Sequence, residues 1–145
     1  GDYSADRTRT RGRMTTTSAH QSVREIMSAP VLTTDLTDSL WDAWQLLSLS
    51  GLRHLVISGR NGECLGLLSD RQILAEIPAT KEHLGTRSVE DLLNQASGVV
   101  ITPEQSPRQA ASLMSEHGIE AIPVCDDEGR LLGIVTQTDL VNWIC

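Results

Sequence analysis

The sequence predicts an α/β (α+β) fold: two β-α-β-β-α repeats related by a pseudo-two-fold axis. Three observations predict it. Gly51-Leu52-Arg53-His54-Leu55-Val56-Ile57 recurs as Gly118-Ile119-Glu120-Ala121-Ile122-Pro123-Val124, and Gly66-Leu67-Leu68-Ser69 recurs as Gly133-Ile134-Val135-Thr136. Both pairs stand 67 residues apart, so the copies keep register without a gap. Each copy also carries one stripe of helical period followed by two β-rich runs around a turn. A duplicated unit of this size buries a core shared between its copies and leaves clefts where they meet.

Residues 1–21 are rich in Thr, Ser and Arg and lack apolar periodicity, which predicts a disordered arm or a non-native remnant. The first repeat spans 22–74, a linker 75–87, and the second repeat 88–145. Val23-Arg24-Glu25-Ile26-Met27 and Val89-Glu90-Asp91-Leu92-Leu93 read as matching helical turns. Val31-Leu32-Thr33-Thr34 and Val99-Val100-Ile101-Thr102 read as matching short strands, being apolar and β-branched.

Ser39 is a suitable N-cap for a helix whose stripe is Leu40, Ala43, Trp44 and Leu47, and Gly51 supplies its left-handed stop. In the second copy Ser106 caps, Pro107 takes the first helical position, and Ala110, Ala111 and Met114 lead to Gly118. Hairpins follow, turning through Asn61-Gly62 and through Asp126-Asp127-Glu128-Gly129. Pro123 cannot donate to a ladder and belongs at a strand start or edge. Closing helices begin at Ser69 and Thr136.

Composition narrows the function. The net charge is −7, while residues 1–22 hold four arginines against two aspartates, so the body is more acidic than the whole. That balance disfavours nucleic-acid binding, and any basic residue at a cleft becomes conspicuous. Cys64, Cys125 and Cys145 have no CxxC spacing and fit free thiols in a reducing cytoplasm. No apolar run approaches a membrane span. His20, His54, His83 and His117 have no mutual ligand spacing, and no P-loop, nucleophile elbow or GxGxxG is present, so neither a metal site nor an enzyme is expected.

Residues 23–144 resemble the CBS domain in tandem form, the Bateman module. The most telling pieces are Gly118-Ile119-Glu120-Ala121-Ile122-Pro123-Val124 and Gly133-Ile134-Val135-Thr136-Gln137-Thr138-Asp139, with weaker partners in the first copy. The resemblance implies two halves packed sheet to sheet, in a stand-alone regulatory module whose clefts bind adenosine-containing ligands, which pairs into homodimers and signals to an unknown regulated protein. No cofactor is required. The implied ligand is an adenine nucleotide (AMP, ADP or ATP), ahead of S-adenosylmethionine or NAD.

Site residues follow from the mismatches between copies. Thr136 and Asp139 form a near capping box whether or not a ligand exists, and the resemblance makes Asp139 the holder of the ribose hydroxyls. The first copy has Ser69 and Gln72 instead, a degenerate second site, because Gln is an uncharged and weaker diol acceptor. Arg53, His54 and Arg71 stand where the second copy has Glu120, Ala121 and Thr138, and the resemblance turns them toward phosphates. Two readings of Arg53 and Arg71 stay open: phosphate ligands, or solvated charges on an acidic surface. A base pocket is expected from Val99, Val100, Ile119, Ile122 and Pro123, residues that would be core in any case.

Trp41 lies one residue off the helix stripe, which suggests either a dimer surface or packing against the other copy. A ligand-free dimerisation or docking module is the rival reading. Single-stranded nucleic-acid binding through the arginine arm is a weaker third.

Overall fold

The computed structural model describes residues 21–145. The expected arm, apart from Gln21, lies outside the described residues. A 3-10 turn at Val23–Glu25 precedes strand β1 (Thr33–Asp35), helix α1 (Leu40–Ser50) and the hairpin β2 (His54–Ser58) and β3 (Cys64–Ser69). Helices α2 (Asp70–Leu74) and α3 (Lys81–Thr86) and a second 3-10 turn (Val89–Gln95) lead to α4 (Pro107–His117). The hairpin β4 (Ala121–Cys125) and β5 (Leu131–Thr136) and helix α5 (Gln137–Ile144) complete the chain.

Local chemistry terminates these elements as the sequence predicts. Ser39, Ser69, Ser106 and Thr136 each accept a hydrogen bond from the backbone N–H three residues on, satisfying an orphan donor of the first helical turn. Gly51 (φ 75°) and Gly118 (φ 64°) stop α1 and α4 in the left-handed region, where a side chain would be strained.

The two physical halves are not the two sequence repeats. Val89 and Leu92, from the second repeat, are buried in the first core with Leu40, Leu47, Leu55, Ile57, Leu68 and Ile73. Val23, from the first repeat, is buried in the second core with Ile101, Ala110, Met114, Ile122 and Val135. Each repeat therefore sends its opening turn into the other half. The crossings are close: Ser28 exchanges two backbone hydrogen bonds with Ile134 (2.8 and 3.0 Å), and Ser97 exchanges two with Leu67 (2.9 and 3.2 Å).

Glycines permit this. A Cβ on Gly133 would stand 2.8 Å from Met27 Sδ and from the Ser28 carbonyl oxygen, and one on Gly66 would stand 3.0 Å from Ala96 Cβ. Between the halves, Val56 and Leu67 of one sheet meet Ala121, Leu131 and Ile134 of the other, so the packing is sheet to sheet.

One expectation is corrected. The expected strand at 99–102 is a single parallel bridge between Ile101 and Val124. In the first copy the Val56 N–H donates to the Leu32 carbonyl (3.0 Å); the equivalent residue in the second is Pro123, which has no N–H to offer Val99. Pro123 thus sits inside β4, not at its start but on an edge strand as expected, since β4 has β5 as its ladder partner and the contact on its other side is short.

The expected linker 75–87 contains α3, which places Leu84 in the first core. Trp41 is half-buried against that same core, with Lys81 Nζ over its ring at 5.9 Å from the centroid.

Candidate functional site

Two clefts flank the pseudo-two-fold axis where the halves meet. One, of about 490 Å³, is lined by Ser69, Gln72, Ser97, Val99 and Ile119, with Arg71 and His117 at its edge. The other, of about 380 Å³, is lined by Ser28, Val31, Leu32, Ile134, Thr136 and Asp139, with Arg53 beside them. His54 and Glu120 line both and form the wall between them.

The Asp139 cleft is assembled by α5 and the first crossing segment. Asp139 Oδ2 accepts from the Thr136 N–H (2.9 Å) and hydroxyl (3.1 Å), and Thr136 Oγ1 accepts in return from the Asp139 N–H (3.2 Å). Asp139 Oδ1 accepts from the Ser28 hydroxyl at 3.1 Å. A carboxylate has about four lone-pair sites, so one acceptor position stays open and a second opens if Ser28 turns away. The Gln137 N–H donates to the Glu120 carbonyl at 2.9 Å, which pins Glu120 to the start of α5.

The Gln72 cleft repeats this geometry with different atoms. Gln72 Oε1 accepts from the Ser69 N–H (2.8 Å) and hydroxyl (3.3 Å), while its Nε2 donates to the Gln95 carbonyl. The amide is thereby tied on both sides, and α2 behind it runs only from Asp70 to Leu74. The Asp70 N–H donates to the Arg53 carbonyl (3.0 Å), the counterpart of the Gln137 bond.

Charge is arranged across the shared wall. Arg71 Nη2 lies 2.8 Å from Glu120 Oε2, an ion pair joining the two halves. Arg53 Nε lies 3.8 Å from Asp70 Oδ2. The hydrogen bond from Arg71, with Arg53 and His54 nearby, holds the Glu120 carboxyl below the usual range. Burial pushes the His54 imidazole below its ordinary value, and the Arg53 and Arg71 charges add to that, while Glu120 and Asp70 oppose it. Away from the clefts, burial pushes the Cys125 thiol up to about 12, as expected of a small core hydrophobe.

The fold brings together part of the expected site. Thr136, Asp139, Arg53 and His54 share one cleft. Arg71 does not join them; it opens on the Gln72 cleft and faces Glu120. The expected base pocket is also redistributed. Val99 and Ile119 line the Gln72 cleft, Val100 is exposed, and Ile122 and Pro123 are buried in β4. Part of the cause is the crossing: each opening segment walls the cleft of the other half's closing helix, so Val31 and Leu32 stand beside Asp139 instead, joined by Leu52 from the turn after α1. Ser28 was missed, because nothing local marks it; its only signal is that it precedes the first extended segment, as Ser97 precedes the second.

Comparison with known proteins accords with this architecture. Residues 23–79 and 89–145 each match the CBS domain. The chain is 31% identical over 86% of itself to homoserine O-acetyltransferase of Methanohalophilus mahii, but spans only 24% of that protein. It is 24% identical over 83% of itself to an uncharacterised protein of Methanopyrus kandleri, spanning 61% of it. Among solved structures, the CBS domain pair of protein MJ0100, in complex with 5′-methylthioadenosine and S-adenosyl-L-methionine, superposes with a TM-score of 0.68 at 27% identity, covering 86% of this chain and 95% of that one. With two matches in tandem over most of the described residues, the chain belongs to the CBS domain family.

Proposed function

We propose that the chain is a regulatory module that binds an adenosine nucleotide (AMP, ADP or ATP) in the Asp139 cleft and passes a conformational shift to a partner protein. The observation that carries the reading is the Asp139 carboxylate, which keeps open acceptor capacity beside an apolar wall, with Arg53 and His54 in the lining of the same cleft. A ribose diol suits the carboxylate, an adenine suits Val31, Leu32 and Ile134, and a 5′-phosphate suits Arg53. The adenosine-containing ligands of the MJ0100 pair support the class.

A ligand touching both halves shifts their arrangement only by binding one arrangement better than another. The clefts are lined from both halves, as such a shift requires. Three free thiols support a reducing cytoplasm as the setting. Exposed Leu49, Ile77 and Ile144 support pairing into a homodimer, which sizing by light scattering would test.

Calorimetric titration with AMP, ATP and S-adenosylmethionine tests the binding. Asp139→Ala should weaken every adenosine ligand by about tenfold or more. Arg53→Ala should weaken the phosphorylated ligands and spare adenosine. Silence from all three ligands sinks the proposal and leaves a ligand-free docking module in its place.

A further inference from the structure

We infer that Glu120 sets the charge selectivity of the Asp139 cleft, admitting a nucleoside or nucleoside monophosphate and rejecting di- and triphosphates. The inference rests on the adenosine-nucleotide reading and narrows it to one ligand class.

The geometry differs between the two copies. Glu120 occupies the position that Arg53 holds in the first copy, and its carbonyl is fixed by the Gln137 N–H (2.9 Å) at the mouth of the cleft. Its carboxylate is only partly exposed (38%), so solvent screens it incompletely. Arg71, the cation placed to neutralise it, approaches from the Gln72 side at 2.8 Å and is engaged there.

Among the described residues that line this cleft, the remaining cation is Arg53, itself 3.8 Å from Asp70. His54, between the two acidic groups Glu120 and Asp70 and the two arginines, is held toward its neutral form by burial. The lining of the cleft therefore offers Arg53 against Asp139 and Glu120. One phosphate can meet Arg53. Each further phosphate adds negative charge beside Glu120, or must draw Arg71 out of its pair and leave the carboxylate uncompensated.

The test is a titration of adenosine, AMP and ATP into the full chain and its Glu120→Gln variant. Wild type should bind AMP more tightly than ATP, and Glu120→Gln should raise the ATP-to-AMP affinity ratio about tenfold. Arg71→Ala should lower that ratio in the wild-type background, where it leaves the Glu120 carboxylate uncompensated. Equal changes for all three ligands would mean that Glu120 matters only for packing, and the inference fails while the nucleotide reading survives. ATP binding as tightly as AMP to wild type overturns the inference too. If neither adenosine nor either nucleotide binds, both fall together.

Discussion

The Gln72 cleft and the Asp139 cleft are made by the same devices. Each has a closing helix with a hydroxyl cap, a residue three positions on that bonds back to the cap, and a serine crossing from the other half. The difference lies in one functional group. Gln72 uses its carbonyl on the cap and its amide on the Gln95 carbonyl, so the side chain is tied at both ends. Asp139 does the same capping with one oxygen and keeps the other turned to Ser28 and the cleft. Positions that shape the backbone were kept in both copies, whereas positions facing the cleft diverged. A duplication can thus hold its scaffold and specialise one of its two clefts.

The strongest challenge to that comparison is to the cores beneath the clefts. Leu92→Ala lies in the second repeat but removes a fully buried side chain from the first half, and should destabilise by about 3 kcal/mol. Urea unfolding followed by Trp41 and Trp44 fluorescence would report it, since both tryptophans pack on that core. A loss confined to the second half would show that the repeats, not the crossed halves, are the packing units.

A smaller effect separates the crossings. Gly133→Ala puts a Cβ 2.8 Å from both Met27 Sδ and the Ser28 carbonyl oxygen; Met27 can move, but the backbone oxygen cannot do so cheaply. The expected loss is about 2 kcal/mol, with Ser28 displaced from Asp139. Gly66→Ala meets Ala96 Cβ at 3.0 Å and the Ser97 oxygen at 3.2 Å, and should lose about 1 kcal/mol. Nucleotide affinity should fall in the first variant and hold in the second. Equal losses of affinity would remove the assignment of function to one cleft.

Much of this was legible before any coordinates. Caps, stop glycines and hairpin turns are local, and Ser39, Gly51, Ser106 and Gly118 announce them within a few residues. The pairing of Asp139 with Arg53 and His54 was an implication of the family resemblance, applied to the mismatches between copies. What could not be read is everything decided by the crossing. Sequence order places Val99 and Ile119 with the second repeat, whereas the chain path delivers them to the cleft of Gln72. Arg71 shows a second limit: its distance from Ser69 is known from the sequence, but its capture by Glu120 depends on how closely the halves approach. Pro123 marks a third, since its missing N–H matters only once Val99 is known to run alongside.

The subtlest test concerns His54, whose counterpart in the second copy is the wholly buried Ala121. An imidazole at the shared wall keeps the proton less readily than in the unfolded chain, because burial penalises its charged form more than Glu120 and Asp70 favour it. The unfolded state, with an ordinary value of about 6.5, then binds more protons over the window just below that pH. Stability from this residue is therefore present above about pH 6.5 and is lost as pH falls toward the lower folded value. His54→Gln should flatten that part of the stability curve, read as the difference between variant and wild type so that His83 and His117 cancel. Glu120→Gln should act in the opposite sense. It removes the foremost group favouring the imidazolium, lowers the folded value further and steepens the fall on the acid side. Parallel curves for all three proteins would mean that His54 does not feel the wall charges, and the shared wall would then couple the clefts by shape alone.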